Sequence, residues 1–224
     1  MQEINKNQNL DMIKYGDLLI TDKQKISCND RIIQYFFITG LMQQFFNLKP
    51  PANSSQETYH ELKYLEKITN STTKEDLEFA AKADTQEERM YVLFSESIGL
   101  PITESFFKDI FSQIEPILFL LKNHFNRPRP FQLGPILGIQ VAQKVPYDAF
   151  HPAYPSGHAL DAYIVEYVLT KIAPSKAKEI KHFTTKMAES RINIGIHYPS
   201  DNVISKKLAD TIIKHNLVKV PSIS

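Results

Sequence analysis

"PSGHALDAYIVEYVLTKIAP", residues 155–174, sets apolar side chains at Leu160, Tyr163, Ile164, Tyr167, Val168 and Ile172 between two prolines. Steps of three and four are the period of one helix face, and no β-strand repeats that way. Ser156 stands where an N-cap belongs, and Pro174 lacks the amide proton a helix needs to continue. The stretch therefore reads as one helix with a defined start and stop. Its first turn carries a hydroxyl, a bare backbone and an imidazole in succession. The free amides of a helix start favour an anion, Gly157 lets that anion reach the backbone, and His158 stands beside it as a proton donor or acceptor. Alone, these residues equally describe an ordinary serine-capped helix with an exposed histidine.

Helical periodicity continues on both sides. Asp30 is placed to cap a helix whose buried stripe is Ile33, Phe36, Phe37, Gly40, Leu41, Phe45 and Leu48. After a loop, "KPPANSSQ", two more polar helices are expected over 56–69 and 73–98. Pro101 opens a long helix with Phe107, Ile110, Phe111, Ile114, Leu118, Leu121 and Phe125 inward, and Pro116 should kink it. Residues 126–155 are crowded with prolines and read as an irregular loop. Helices follow over 176–194, with Gly195 as the C-terminal cap, and over 201–215. The fold class is all-α: a single-domain helical bundle whose proline-rich loop completes a pocket. A polar segment, 1–29, precedes the domain at 30–216, and a tail, 217–224, follows it.

Composition narrows the function. The 224 residues carry 26 Lys plus Arg against 25 Asp plus Glu, a balance that gives no sign of nucleic-acid binding. No apolar run approaches the ~20 residues that span a bilayer. The N-terminus lacks a cationic start followed by an apolar core, and Cys28 is the sole cysteine, so a reducing, cytoplasmic setting is expected. One cysteine also allows no internal disulfide and no cysteine-built metal centre.

Other segments supply charge. Arg191 continues the apolar series Ile180, Thr184, Met187, so its guanidinium must find an anion or a structural salt bridge. Lys122 flanks the stripe of its helix, where lysines commonly extend to water. Arg127 and Arg129 each precede a proline and are held extended. In "HYPSD", Asp201 follows His197 by four residues. It either orients the imidazole through its ring proton or caps the next helix.

Taken together, Lys122-x6-Arg129-Pro130, Pro155-Ser156-Gly157-His158 and Ser190-Arg191-x5-His197-x3-Asp201 resemble the type 2 phosphatidic acid phosphatase and vanadium haloperoxidase superfamily. The signature spans 122–201 and leaves the first 120 residues unassigned. The resemblance implies that Lys122, Arg129, Arg191, Ser156 and Gly157 bind phosphate. It implies that His197, oriented by Asp201, is the nucleophile that forms a phosphohistidine. His158 then protonates the leaving alcohol and later activates water. The resemblance also implies that no metal or other cofactor is required and that the partner is a small phosphorylated substrate. Lacking membrane spans, the chain is similar to the soluble branch, the bacterial class A acid phosphatases. The alternative is a vanadate-dependent haloperoxidase using the same pocket. "FHPAYPSGHA" is similar to the bromoperoxidase version, with His151 expected on the pocket rim, whereas "HYPSD" is phosphatase-like.

Overall fold

The computed structural model describes Leu10 and residues 31–144 and 151–222. Among these, all regular structure is helical. The helix from the 155–174 stretch, α8 (Gly157–Ile172), is central: it packs most extensively against α9 (Ala177–Asn193) and α10 (Pro199–Lys214), and α6 (Glu104–Phe125) crosses it. Ser156 caps α8, its Oγ accepting from the Ala159 amide at 3.4 Å. Burial extends beyond the expected stripe. Ala159, Ala162, Val165 and Leu169 are buried as fully as Leu160 and Ile164, whereas Tyr163, Tyr167 and Ile172 are only partly covered. Enclosure from several sides explains this, and small residues such as Ala159 and Ala162 let the neighbours come close. Each large aliphatic side chain so buried contributes about 1.5–3 kcal/mol.

Several expected elements are divided. The first apolar stripe breaks at Gly40 (φ 75°) into α1 (Arg31–Ile38) and α2 (Leu41–Phe46). α1 buries Ile32, Ile33 and Phe36, and Phe37, expected inside, lies beside that face and is 57% exposed. Asp30, the expected cap, lies outside the described residues. The first polar helix, α3, runs Gln56–Ser71. The second is two helices, α4 (Lys74–Thr85) and α5 (Glu87–Ser97), turned at Gln86 (φ −142°, ψ 39°). That turn aims the end of α4 and the start of α5 at the site described below.

α6 starts at Glu104 and not at Pro101, because extended Thr103 forms its N-cap, and it runs through Pro116 as one element. The proline-rich loop is not wholly irregular. Pro130 occupies the first position of a short helix, α7 (Pro130–Leu133), and a 3-10 turn follows at Pro135–Leu137. α10, expected from 201, begins at Pro199, which is its first helical residue. The expected tail is tied to α6: Leu217 is buried, and Lys219 exchanges two hydrogen bonds with Gln113, at 2.8 and 2.9 Å. The expected N-terminal segment, 1–29, lies outside the described residues apart from Leu10, whose carbonyl accepts from Asn53 at 2.8 Å.

Candidate active site

Four segments converge on one cavity of about 360 Å³. The last turn of α6 supplies Lys122, the extended segment before α7 supplies Arg129, the start of α8 supplies Gly157 and His158, and the loop after α9 supplies His197. His151 lines the same cavity from the segment leading to α8 and packs edge-on against Phe119, ring centroids 4.7 Å apart.

Lys122 does not extend to water. It is 4% exposed, and its Nζ donates to the Pro152 carbonyl at 2.7 Å. Burial, and then the neighbouring Arg129 charge, push its ammonium well below the usual lysine range, while Asp201 opposes them. An oxyanion between the two cations would favour the charged form. Arg129 is held within the described residues: Nε donates to the His151 carbonyl at 2.9 Å, and NH1 donates to the Ile196 carbonyl and to His197 Nε2, each at 2.8 Å.

These contacts fix the His197 tautomer. A guanidinium can only donate, so Nε2 accepts and the ring proton sits on Nδ1. Nδ1 therefore donates to Asp201 Oδ2, 2.9 Å away. Burial holds this imidazole well below the usual histidine range, and Arg129, Lys122, Arg191 and Arg127 reinforce it. At neutral pH His197 is thus uncharged, with its lone pair on the nitrogen beside the cavity cations. Asp201 stands at the third position of α10, where Oδ2 also accepts from the Tyr198 amide at 2.9 Å. It orients the imidazole and bonds the helix start at once, which joins the two readings of the "HYPSD" turn.

His158 Nε2 lies 3.1 Å from the Ala83 carbonyl, which can only accept, so Nε2 carries the proton. Glu87 Oε2 is 3.6 Å from the same nitrogen. Burial first, and Arg191 next, keep His158 well below the usual range, against the opposing Ala83 carbonyl. At Gly157 an added Cβ would stand 3.1 Å from Leu118 Cδ2, a tight contact that the leucine side chain would have to relieve by shifting.

Three of the expected residues sit behind the cavity wall rather than on it. Ser156, Arg191 and Asp201 are each fully buried and do not line the cavity. Arg191 donates to Asp84 Oδ1 at 2.5 Å and to the Ala80 carbonyl at 3.1 Å, and its charge still bears on both histidines. The cavity is also lined by residues the sequence did not single out. Glu87, Glu88, Glu115, Asp161 and Phe119 line it, together with Phe111 from the inward stripe of α6. Burial, reinforced by Asp161, raises Glu87 well above the usual carboxylate range, and burial with Glu115 and Glu88 does the same to Asp161.

A family model for the PAP2 superfamily matches residues 97–213, more than half of the chain and the whole of the cation and histidine framework. The chain belongs to the PAP2 superfamily. Membership brings phosphatase-type hydrolysis in general. No curated protein matches the chain. The PAP2 superfamily match begins at the last residue of α5, so Glu61, Asp84, Glu87 and Glu88 lie outside it and reach the site only through packing. No helix among the described residues is long and apolar enough to cross a membrane.

Proposed function

We propose that the chain is a metal-independent phosphomonoesterase of the acid phosphatase type, working through a phosphohistidine at His197. One observation carries this reading: His197 lines the cavity with Lys122 and Arg129, its Nε2 is unprotonated and accepts from Arg129, and Asp201 holds the opposite ring nitrogen. The phosphoryl group of a small monoester binds to Lys122, Arg129 and the Gly157 amide, and Arg191 adds its charge from behind. Arg129 shifts a hydrogen bond from Nε2 to a phosphate oxygen and so frees the nucleophile. Nε2 then attacks phosphorus, the phosphorus–oxygen bond to the alcohol breaks, and His158, protonated beside the dianion, gives its proton to the leaving oxygen. In the second half His158 takes a proton from water, which attacks phosphorus and releases His197. The cations offset the charge of both transition states. Asp201 offsets the positive charge that develops on the His197 ring.

The carboxyl wall supports an acid optimum. Glu87 and Asp161 stay neutral well above the usual carboxylate range, and on ionising they would oppose a phosphate dianion. The small phosphorylated substrate meets this wall and Phe111 and Phe119 with its leaving group.

The haloperoxidase reading is favoured by one feature, His151 against Phe119 inside the cavity. Lys122, Arg129 and His197 fit a tetrahedral vanadate as well as a phosphate, and bound vanadate would supply peroxide activation. One preparation assayed for phosphomonoester hydrolysis and for vanadate-dependent bromide oxidation separates the two. Hydrolysis alone supports the phosphatase. Sustained bromide oxidation with negligible hydrolysis reverses the assignment.

A further inference from the structure

Arg127 shares its proline-flanked segment with Arg129 but turns the other way. It is 2% exposed and lines no part of the cavity. Its NH1 donates to Asp201 Oδ1 and to Ser200 Oγ, both at 2.7 Å, and its NH2 donates to Glu61 Oε2 at 3.0 Å. Its guanidinium lies over the Tyr198 ring, 3.7 Å from the centroid. Glu61, on α3, also takes the Ser200 amide at 2.6 Å and the Ser200 hydroxyl at 2.9 Å. The two carboxylate oxygens of Asp201 are thereby divided: Oδ1 faces Arg127, and Oδ2 faces His197 and the Tyr198 amide.

We propose that Glu61 and Arg127 form a positioning clamp for His197, so that a carboxylate from outside the family-matched region completes the catalytic dyad. The inference rests on the phosphohistidine reading of His197. Its logic is geometric and electrostatic. Arg127 pins Oδ1 and fixes the plane of the Asp201 carboxylate, which leaves Oδ2 aimed at His197 Nδ1. An arginine alone would cancel the charge of Asp201 just where a positive imidazole ring must be stabilised. Glu61 restores it: two carboxylates and one guanidinium leave a net negative charge behind the ring. Glu61 also grips the first turn of α10 through Ser200, which sets the register of Asp201 against His197. Stacking on Tyr198 keeps the guanidinium flat between the two carboxylates.

The experiment is steady-state and rapid-quench kinetics on Glu61→Gln and Arg127→Lys, with p-nitrophenyl phosphate as substrate and inorganic phosphate as competitor. Both variants are checked by thermal melting, and the His197 Nδ1 proton is followed by NMR. Phosphate is bound by other residues, so its inhibition constant should stay within about threefold. Losses of outer-shell support typically reach tenfold to a hundredfold, so kcat and the phosphoenzyme formation rate should fall by roughly that much. The Nδ1 resonance should move upfield, and Glu61→Asp should recover part of the rate where Glu61→Gln does not. Should Glu61→Gln fail to fold, Ser200→Ala provides the same test, because it removes only the hydroxyl bridge; several-fold lower kcat with unchanged phosphate inhibition is expected. A folded variant with wild-type kcat and resonance overturns the clamp, as does one losing phosphate affinity and kcat equally. His197→Ala is run beside them. If it keeps its activity, the phosphohistidine reading fails. If it is inactive while the clamp variants behave as wild type, only the clamp fails.

Discussion

Arg129 NH1 donates to His197 Nε2 at 2.8 Å, while the other nitrogen of the same ring faces Asp201 Oδ2 at 2.9 Å. The ring is thus bound on both edges by fixed groups of opposite charge. One contact keeps the proton off Nε2, and the other is ready for the positive charge the ring acquires on attacking phosphorus. Arg129 must leave Nε2 before the bond forms, and a phosphate oxygen is the natural replacement for its donor.

Arg129→Lys should therefore be severe despite keeping the charge. The guanidinium meets the His151 carbonyl through Nε and the Ile196 carbonyl through NH1, a planar fork that a single ammonium nitrogen does not reproduce. Losing one preorganised donor of this kind costs about 10²–10³ in kcat. Kinetics on a variant shown to be folded by its melting curve will check this; a loss under fivefold would remove Arg129 from the cradle.

His158→Ala should discriminate between substrates. Leaving groups that depart without a proton, such as p-nitrophenolate, should be slowed least, and alkyl phosphates most. The measurement is the dependence of kcat/KM on leaving-group pKa, which should steepen in the variant. An unchanged slope would mean that His158 is not the proton donor.

Glu87→Gln tests the carboxyl wall through pH. Glu87 has its folded pKa raised well above the ordinary 4.5, chiefly by burial. Below 4.5 the folded and unfolded chains are both protonated there, and the residue contributes nothing to pH dependence. Above that value the unfolded chain ionises first, so the native protein loses stability as pH rises towards the folded pKa. The variant should melt near the wild type in acid and above it at neutral pH, by roughly 2–4 °C for each kcal/mol regained. The alkaline limb of its activity should also move to higher pH. A difference in melting temperature that does not change with pH would refute this account.

His151 offers a softer test. Burial, with Lys122 and Arg129, lowers its pKa to about 4, so it is neutral over most of the working range. If it shapes the rim and takes no part in bond breaking, His151→Phe should change KM several-fold and keep most of kcat. A collapse of kcat with KM unchanged would place His151 in the chemistry.

What the sequence disclosed was local. Ser156 at a helix start, Pro174 at its end and Gly195 past α9 are each decided by capping chemistry within a few residues, and the structure places them accordingly. The all-α class followed from the same periodicities. The start of α10 was expected two residues late, at 201, because a proline both breaks a helix interior and opens a helix, and only the preceding turn tells which. Phe37 was misplaced because α1 turns Ile32, Ile33 and Phe36 inward, a face that leaves Phe37 at its side. Residues acting across the fold left no trace. Asp84 meets Arg191 across 107 positions, and Glu61 meets Arg127 across 66. A carboxylate on a polar helix has the same local pattern whether it faces water or a buried guanidinium. The turn at Gln86, which brings Asp84 and Glu87 to the site, follows from packing and has no sequence signal of its own.

The central claim is a covalent bond between phosphorus and His197. The most direct measurement is rapid quenching into alkali of the enzyme turning over a phosphomonoester labelled in its phosphoryl group, followed by mass-spectrometric mapping of the label. The account predicts label on the peptide containing His197, stable in alkali, lost in acid, and absent from His197→Ala, which should also be inactive. Full turnover with no labelled enzyme at any quench time, or label on another residue in an active His197→Ala variant, would contradict it.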